Sequence, residues 1–86
     1  MDINHLIAIV KTKLKNEINI ENIDIEDKTF LHKNHKGNQE GKFHLKILIR
    51  SVELKNLSKI ESNKKIYKIL SDELQDHIHS IQILIN

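Results

Sequence analysis

The chain contains no cysteine, no proline and no tryptophan, and only two glycines, one tyrosine and two phenylalanines in 86 residues. Without cysteine it can form no disulfide, no thiolate zinc site and no cysteine nucleophile. Any metal it binds must be held by histidine, by carboxylate or by the ligands of a partner. With 3% aromatic residues it lacks the stacking platform on which single-stranded nucleic acid lies. Charge of one sign is also missing. Fourteen Lys and Arg against 12 Asp and Glu leave +2, too little for a global field, so a basic function has to come from a local patch. Long apolar runs are absent as well: Ile81 to Ile85 is interrupted by Gln82, far short of the roughly 20 residues that cross a bilayer. Asp2 directly after Met1 and the brief run Leu6 to Val10 do not fit a secretory signal. These absences predict a soluble protein with no membrane partner, cytoplasmic by default and organellar if a transit segment has been removed.

What is present is mostly branched aliphatic: 38% of the chain is hydrophobic and 30% charged. Isoleucine, lysine and asparagine run evenly through every predicted element, as a coding bias would make them, and carry no functional weight. A chain of this length supports a single domain, 1–86, that buries about 60 to 65% of its unfolded surface. No internal repeat or linker interrupts it.

Ile3, Leu6, Ile7, Val10 and Leu14 follow helical spacing with Asp2 placed to cap, predicting a helix over 2–16. Ile23 and Ile25 alternate with polar residues after a change of parity at Glu21 and Asn22, predicting a turn or bulge and then a strand over 22–29. Phe43, Leu45, Ile47 and Ile49 alternate with His44, Lys46, Leu48 and Arg50 as a half-buried second strand. Between the strands, Leu31 to Lys42 holds both glycines and two histidines, and it is longer than a hairpin needs. A polar loop of this kind is expected to be mobile in the free protein. Val52, Leu54 and Leu57 suit a short helix near 53–57, and Ile66, Ile69, Leu70 and Leu74 a longer one over 62–76, capped by Ser62 or Asn63. His79, Ile81, Ile83 and Ile85 share one parity in a final strand. The order α-β-β-α-α-β predicts an α+β two-layer sandwich, a three-stranded sheet with helices on one face, in a type II KH-like topology. Its exposed sheet edge is compatible with a monomer or a weak homodimer.

These elements and several spaced residues resemble the BolA family over about residues 20–85. Asp27, Thr29, His32 and His35 match an acidic residue, a small hydroxyl residue and a His-bearing loop. His44-Leu45 and Ser51 resemble the His-Phe pair and the serine that bracket the second strand. Ile66, Tyr67, Leu70 and Glu73-Leu74 follow the long-helix pattern, and His79-Ser80-Ile81 the signature opening the last strand. The chain departs where the family has Phe-x-Gly and Arg-His-Arg: Leu54, Asn56 and Ser62-Asn63-Lys64 stand there instead. The resemblance implies an adaptor that pairs with a monothiol glutaredoxin and shares a [2Fe-2S] cluster. The partner would supply a cysteine and glutathione, and this chain would supply His79 with His32 or His35. It also implies, for some bacterial members, DNA binding through the middle helices, a role that the changes at Ser62-Asn63-Lys64 weaken more than the cluster role.

From the residues alone, two histidines can replace two cysteines on one iron of a [2Fe-2S] unit, provided they are brought together. His79 by itself also fits a partly buried histidine bonded to a backbone carbonyl, and His32 and His35 fit solvated loop residues. His44, on the polar parity of its strand, reads as exposed or lightly paired, and His5 and His77 as surface residues. Lys64, Lys65 and Lys68, with Lys55 and Lys59 before them, could meet the phosphates of double-stranded DNA or form a solvated helix face. A KH-type RNA clamp is disfavoured because Leu57 to Glu61 contains no glycine. No phosphate loop, H-E-x-x-H or obvious triad is present, and the chain does not read as an enzyme.

Overall fold

The computed structural model describes residues 1–29 and 42–86. The sequence places His32 and His35 in the segment between, outside the described residues.

The order is α1 (Ile3–Glu17), β1 (Asn22–Asp27), β2 (Phe43–Arg50), α2 (Val52–Lys55), α3 (Lys59–Ile69), α4 (Ser71–Asp76) and β3 (Ile78–Ile85). The strands form one sheet in the order β1-β2-β3, with β1 antiparallel and β3 parallel to β2. A parallel pair cannot be closed by a tight turn, and α2, α3 and α4 form the crossover. The α+β sandwich expected from the apolar periodicity is therefore the observed fold.

Helix α1 starts where Asp2 accepts the His5 N–H at 2.8 Å, and its stripe Leu6, Val10 and Leu14 is buried. That stripe packs with Ile23, Ile25, Leu45, Ile47 and Ile49 of the sheet and with Leu54, Ile66 and Leu70 of the crossover. Each fully buried aliphatic side chain here stabilises the fold by about 1.5–3 kcal/mol. Alternation places His44, Lys46 and Leu48 on the opposite face of β2 from the core residues Leu45, Ile47 and Ile49.

Helix α1, strand β1 and helix α2 end within one or two residues of the expected bounds, and the larger departures are in the long helix of the crossover. The long helix begins at Lys59 rather than 62, because Ser58 is its cap: the Ser58 hydroxyl accepts the Glu61 N–H at 3.1 Å and donates to the Glu61 carboxylate at 3.2 Å. Ser62, expected as a cap, is instead buried inside α3 and donates to the Lys59 carbonyl at 3.0 Å. The single helix over 62–76 is two, α3 and α4, broken at Leu70.

Candidate metal-ligand site

At the end of the sheet where β2 and β3 begin, the local structure follows from a few polar residues. The Asp27 carboxylate accepts the Thr29 N–H at 3.0 Å and the Thr29 hydroxyl. The Thr29 Oγ1 in turn accepts the His44 N–H at 3.1 Å, and the Lys28 N–H donates to the His44 carbonyl at 2.7 Å. The acidic and hydroxyl residues that carried part of the resemblance thus clamp the backbone of His44. On the far side, Lys42 donates to the Gln75 carbonyl at 3.1 Å and the His77 N–H closes α4 on the Glu73 carbonyl at 2.8 Å. The start of β3 is fixed by the same frame.

β3 does not keep a single parity. Phe43 pairs with Ile78 and His44 with Ser80, so one extra residue, His79, is inserted as a bulge. Ile78 is 1% exposed and belongs to the core, whereas His79 is exposed. The expectation that His79 lies in phase with Ile81, Ile83 and Ile85 is therefore corrected: the core takes Ile78, and the bulge restores the phase afterwards. Bulges of this type re-aim a side chain, and here the side chain is an imidazole.

His44 is also corrected. Read as exposed, it is only 5% exposed. Its Nδ1 lies 2.6 Å from the Ser80 Oγ and its Nε2 lies 3.2 Å from the His79 Nδ1. The rings meet edge to face, with centroids 4.8 Å apart and planes at 73°. Both nitrogens of His44 are engaged. The Nε2 of His79 has no partner among the described residues, and its ring is exposed. A neutral imidazole with one nitrogen held and the other accessible has the form in which histidine ligates metal. Among the described residues no three His, Asp or Glu side chains are grouped so that they could hold a metal ion.

The lysines expected to meet phosphate are not gathered in the same way. Lys65 donates to the Glu53 carboxylate at 2.9 Å. That bond, helped by the Asn19 N–H, holds the Glu53 carboxyl below its usual range. Lys13 on α1 lies 2.7 Å from Glu73 and 3.9 Å from Asp72, and its ammonium is raised above the usual lysine range chiefly by the Glu73 bond. Lys65, Lys68 and Lys13 border an open groove of about 540 Å³ between α1 and α3, but Glu17 lines it too. Lys64 and Lys68 are exposed without a partner among the described residues.

A family match decides what this frame belongs to: the family described as BolA-like protein matches residues 14–86. The chain belongs to the BolA family. It is similar to the DNA-binding transcriptional regulator BolA of Haemophilus influenzae, 29% identical over 75 residues that cover 87% of this chain and 70% of that protein. It is also similar to SufE-like protein 1, chloroplastic/mitochondrial, of Arabidopsis thaliana, 25% identical over 80 residues, although the chain spans only 22% of that protein's length. The solved BolA domain of SufE1 from Arabidopsis thaliana superposes with a TM-score of 0.77 at 25% identity, covering 92% of this chain and 87% of that one. BolA1 from Mus musculus shares the fold with a TM-score of 0.71 at 18% identity, over 90% of this chain and 60% of that one. In this BolA-like chain, no helix among the described residues is long and apolar enough to cross a membrane.

Sequence reasoning selected His79 but missed its neighbours His44 and Ser80. The signal available was the pair His79-Ser80 itself: two polar residues in a row between Ile78 and Ile81 cannot both occupy the outer face of a regular strand.

Proposed function

We propose that this BolA-like protein is a binding adaptor rather than an enzyme: it docks with a monothiol glutaredoxin and takes a share in a [2Fe-2S] cluster as cargo, in iron-sulfur assembly, trafficking or iron regulation. The observation that carries the reading is the exposed, bulge-borne His79, whose Nδ1 is held by His44 while Nε2 has no partner among the described residues. The donor set fits. A chain without cysteine offers imidazole to one iron, and the glutaredoxin and its glutathione supply the thiolates. His32 or His35 would complete the pair on this chain's side. Anaerobic addition of this protein to a glutaredoxin-bound cluster tests the reading. A change in visible absorption and circular dichroism that saturates near one equivalent supports it, and an unchanged spectrum at excess protein rejects it.

A second reading, binding of double-stranded DNA, has one observation in its favour: the relative from Haemophilus influenzae is named a DNA-binding transcriptional regulator. Here the contacts would fall to Lys64, Lys65 and Lys68. Duplex binding at low salt whose log affinity loses about 0.9 of salt slope for each lysine neutralised would establish it. A gel shift with no complex at low salt would end it.

A further inference from the structure

Two hydrogen bonds run in series from Ser80 Oγ through His44 to His79 Nδ1, at 2.6 and 3.2 Å. Each contact needs one proton between its two heavy atoms, and a neutral His44 has only one ring proton to share. If His44 carries it on Nε2, it donates to His79 Nδ1, and a neutral His79 must then hold its own proton on Nε2, where it blocks a metal. If His44 carries it on Nδ1, it donates to Ser80, and Nε2 accepts the His79 Nδ1–H. The lone pair of His79 is then on Nε2. The tautomer of one ring dictates that of the other.

We propose that His44 is the positioning residue for His79: it gives its Nδ1–H to the Ser80 Oγ and accepts the His79 Nδ1–H at Nε2, the one of the two proton arrangements that leaves the His79 Nε2 open to a metal. His44 is placed to do this and not to ligate. Its nitrogens are both taken up, it is buried, and its backbone is clamped on both sides by Thr29 and Lys28. His79, inserted by a bulge at the sheet edge, has no other described contact that would set its ring. Partners that hold the second nitrogen of a ligating histidine contribute 10–100-fold to metal affinity.

The inference rests on the adaptor reading for its purpose but not for its first test. Long-range proton–nitrogen correlation spectra of the metal-free protein, taken at a pH above the histidine range where the rings are neutral, report which ring nitrogen carries the proton. The wild type is expected to show His79 protonated at Nδ1, and His44→Leu, which keeps bulk but cannot accept, to move that proton to Nε2 or average it over both. His44→Gln retains an acceptor and is expected to restore part of the Nδ1 form. It also serves if the leucine variant does not fold. A wild-type His79 protonated at Nε2, or one unchanged in both variants, overturns the proposal. The second test adds each variant to the glutaredoxin-bound cluster. His44→Leu is expected to weaken the titration about 10–100-fold while reaching the wild-type spectrum. Unchanged affinity overturns the positioning role and leaves the adaptor reading standing. If the wild type itself gives no spectral change, the adaptor reading fails and the nitrogen spectra alone decide on His44.

Discussion

The histidine end of the sheet and the lysine face of the crossover carry comparable numbers of functional-looking side chains, yet they are organised oppositely. At the histidine end the backbone is pinned by Asp27, Thr29 and Lys42, and the imidazoles are bonded to each other and to Ser80. On the crossover, Lys65 is spent on Glu53 and Glu73 is taken up by Lys13 of α1, while Lys64 and Lys68 are exposed and the groove that Lys68 borders is shared with Glu17. Ordering a side chain before a ligand arrives removes part of the entropy that binding must otherwise overcome. On the adaptor reading proposed above, a pre-set imidazole suits a ligand with directional demands, and the DNA reading would rest instead on solvated ammonium groups that are not ordered in advance.

The comparison can be broken most sharply by His79→Ala, which is expected to abolish the saturating spectral change with the glutaredoxin-bound cluster. Replacement of Lys64, Lys65 and Lys68 by glutamine should leave it in place. If the lysine variant loses the cluster response and the histidine variant keeps it, the assignment of the two regions is reversed. Next in size, Ser51→Ala is expected to destabilise the fold by about 1–2 kcal/mol, read as a lower urea midpoint at unchanged slope. The Ser51 hydroxyl caps α2 at the Leu54 N–H and also donates to the Asn19 carbonyl at 2.8 Å, fully buried. This cap holds the helix that presents Glu53 to Lys65, so the lysine face should loosen while the histidine spectra stay fixed.

Thr29→Val should cost about 1 kcal/mol and act at the opposite end: it removes the acceptor of the His44 N–H, and hydrogen exchange at that amide should accelerate. The smallest effect belongs to the Glu53–Lys65 pair, which is exposed and screened by salt. Because the folded protein holds Glu53 below its usual range, the pair's contribution is present above the ordinary carboxylate pKa and is lost as pH falls through the lowered value. A double-mutant cycle with Glu53→Gln and Lys65→Met, run at neutral and acid pH, should show a coupling that shrinks on acidification. A coupling that grows instead would place the stabilisation elsewhere.

Most of the architecture was legible because it depends on periodicity. The stripe from Leu6 to Leu14 and the alternation from Phe43 to Ile49 each specify an element and the face it buries. What escaped depends on pairing between distant segments or on spacing that stays silent. Ile66, Leu70 and Leu74 keep helical spacing straight through the break at Leu70, so the apolar pattern could not announce it. The start of α3 does carry a local signal, Ser58 followed three residues later by Glu61, a capping-box pattern that competes in the sequence with the expected caps Ser62 or Asn63. The bulge at His79 is set by the register between β2 and β3, and only that register brings His44, Ser80 and His79 together. Thus one ligand candidate could be chosen from its place in the chain, but the neighbours that orient it could not.

The central claim is that an imidazole of this chain binds iron in a shared cluster. The most direct measurement is hyperfine spectroscopy of the reduced, paramagnetic [2Fe-2S] complex formed between nitrogen-15 histidine-labelled protein and unlabelled glutaredoxin. The account predicts a strong nitrogen-15 coupling in the wild type that disappears, in whole or in its larger part, in His79→Ala. A cluster whose spectrum shows no coupling to the labelled histidines, or one unchanged in His79→Ala, would contradict it.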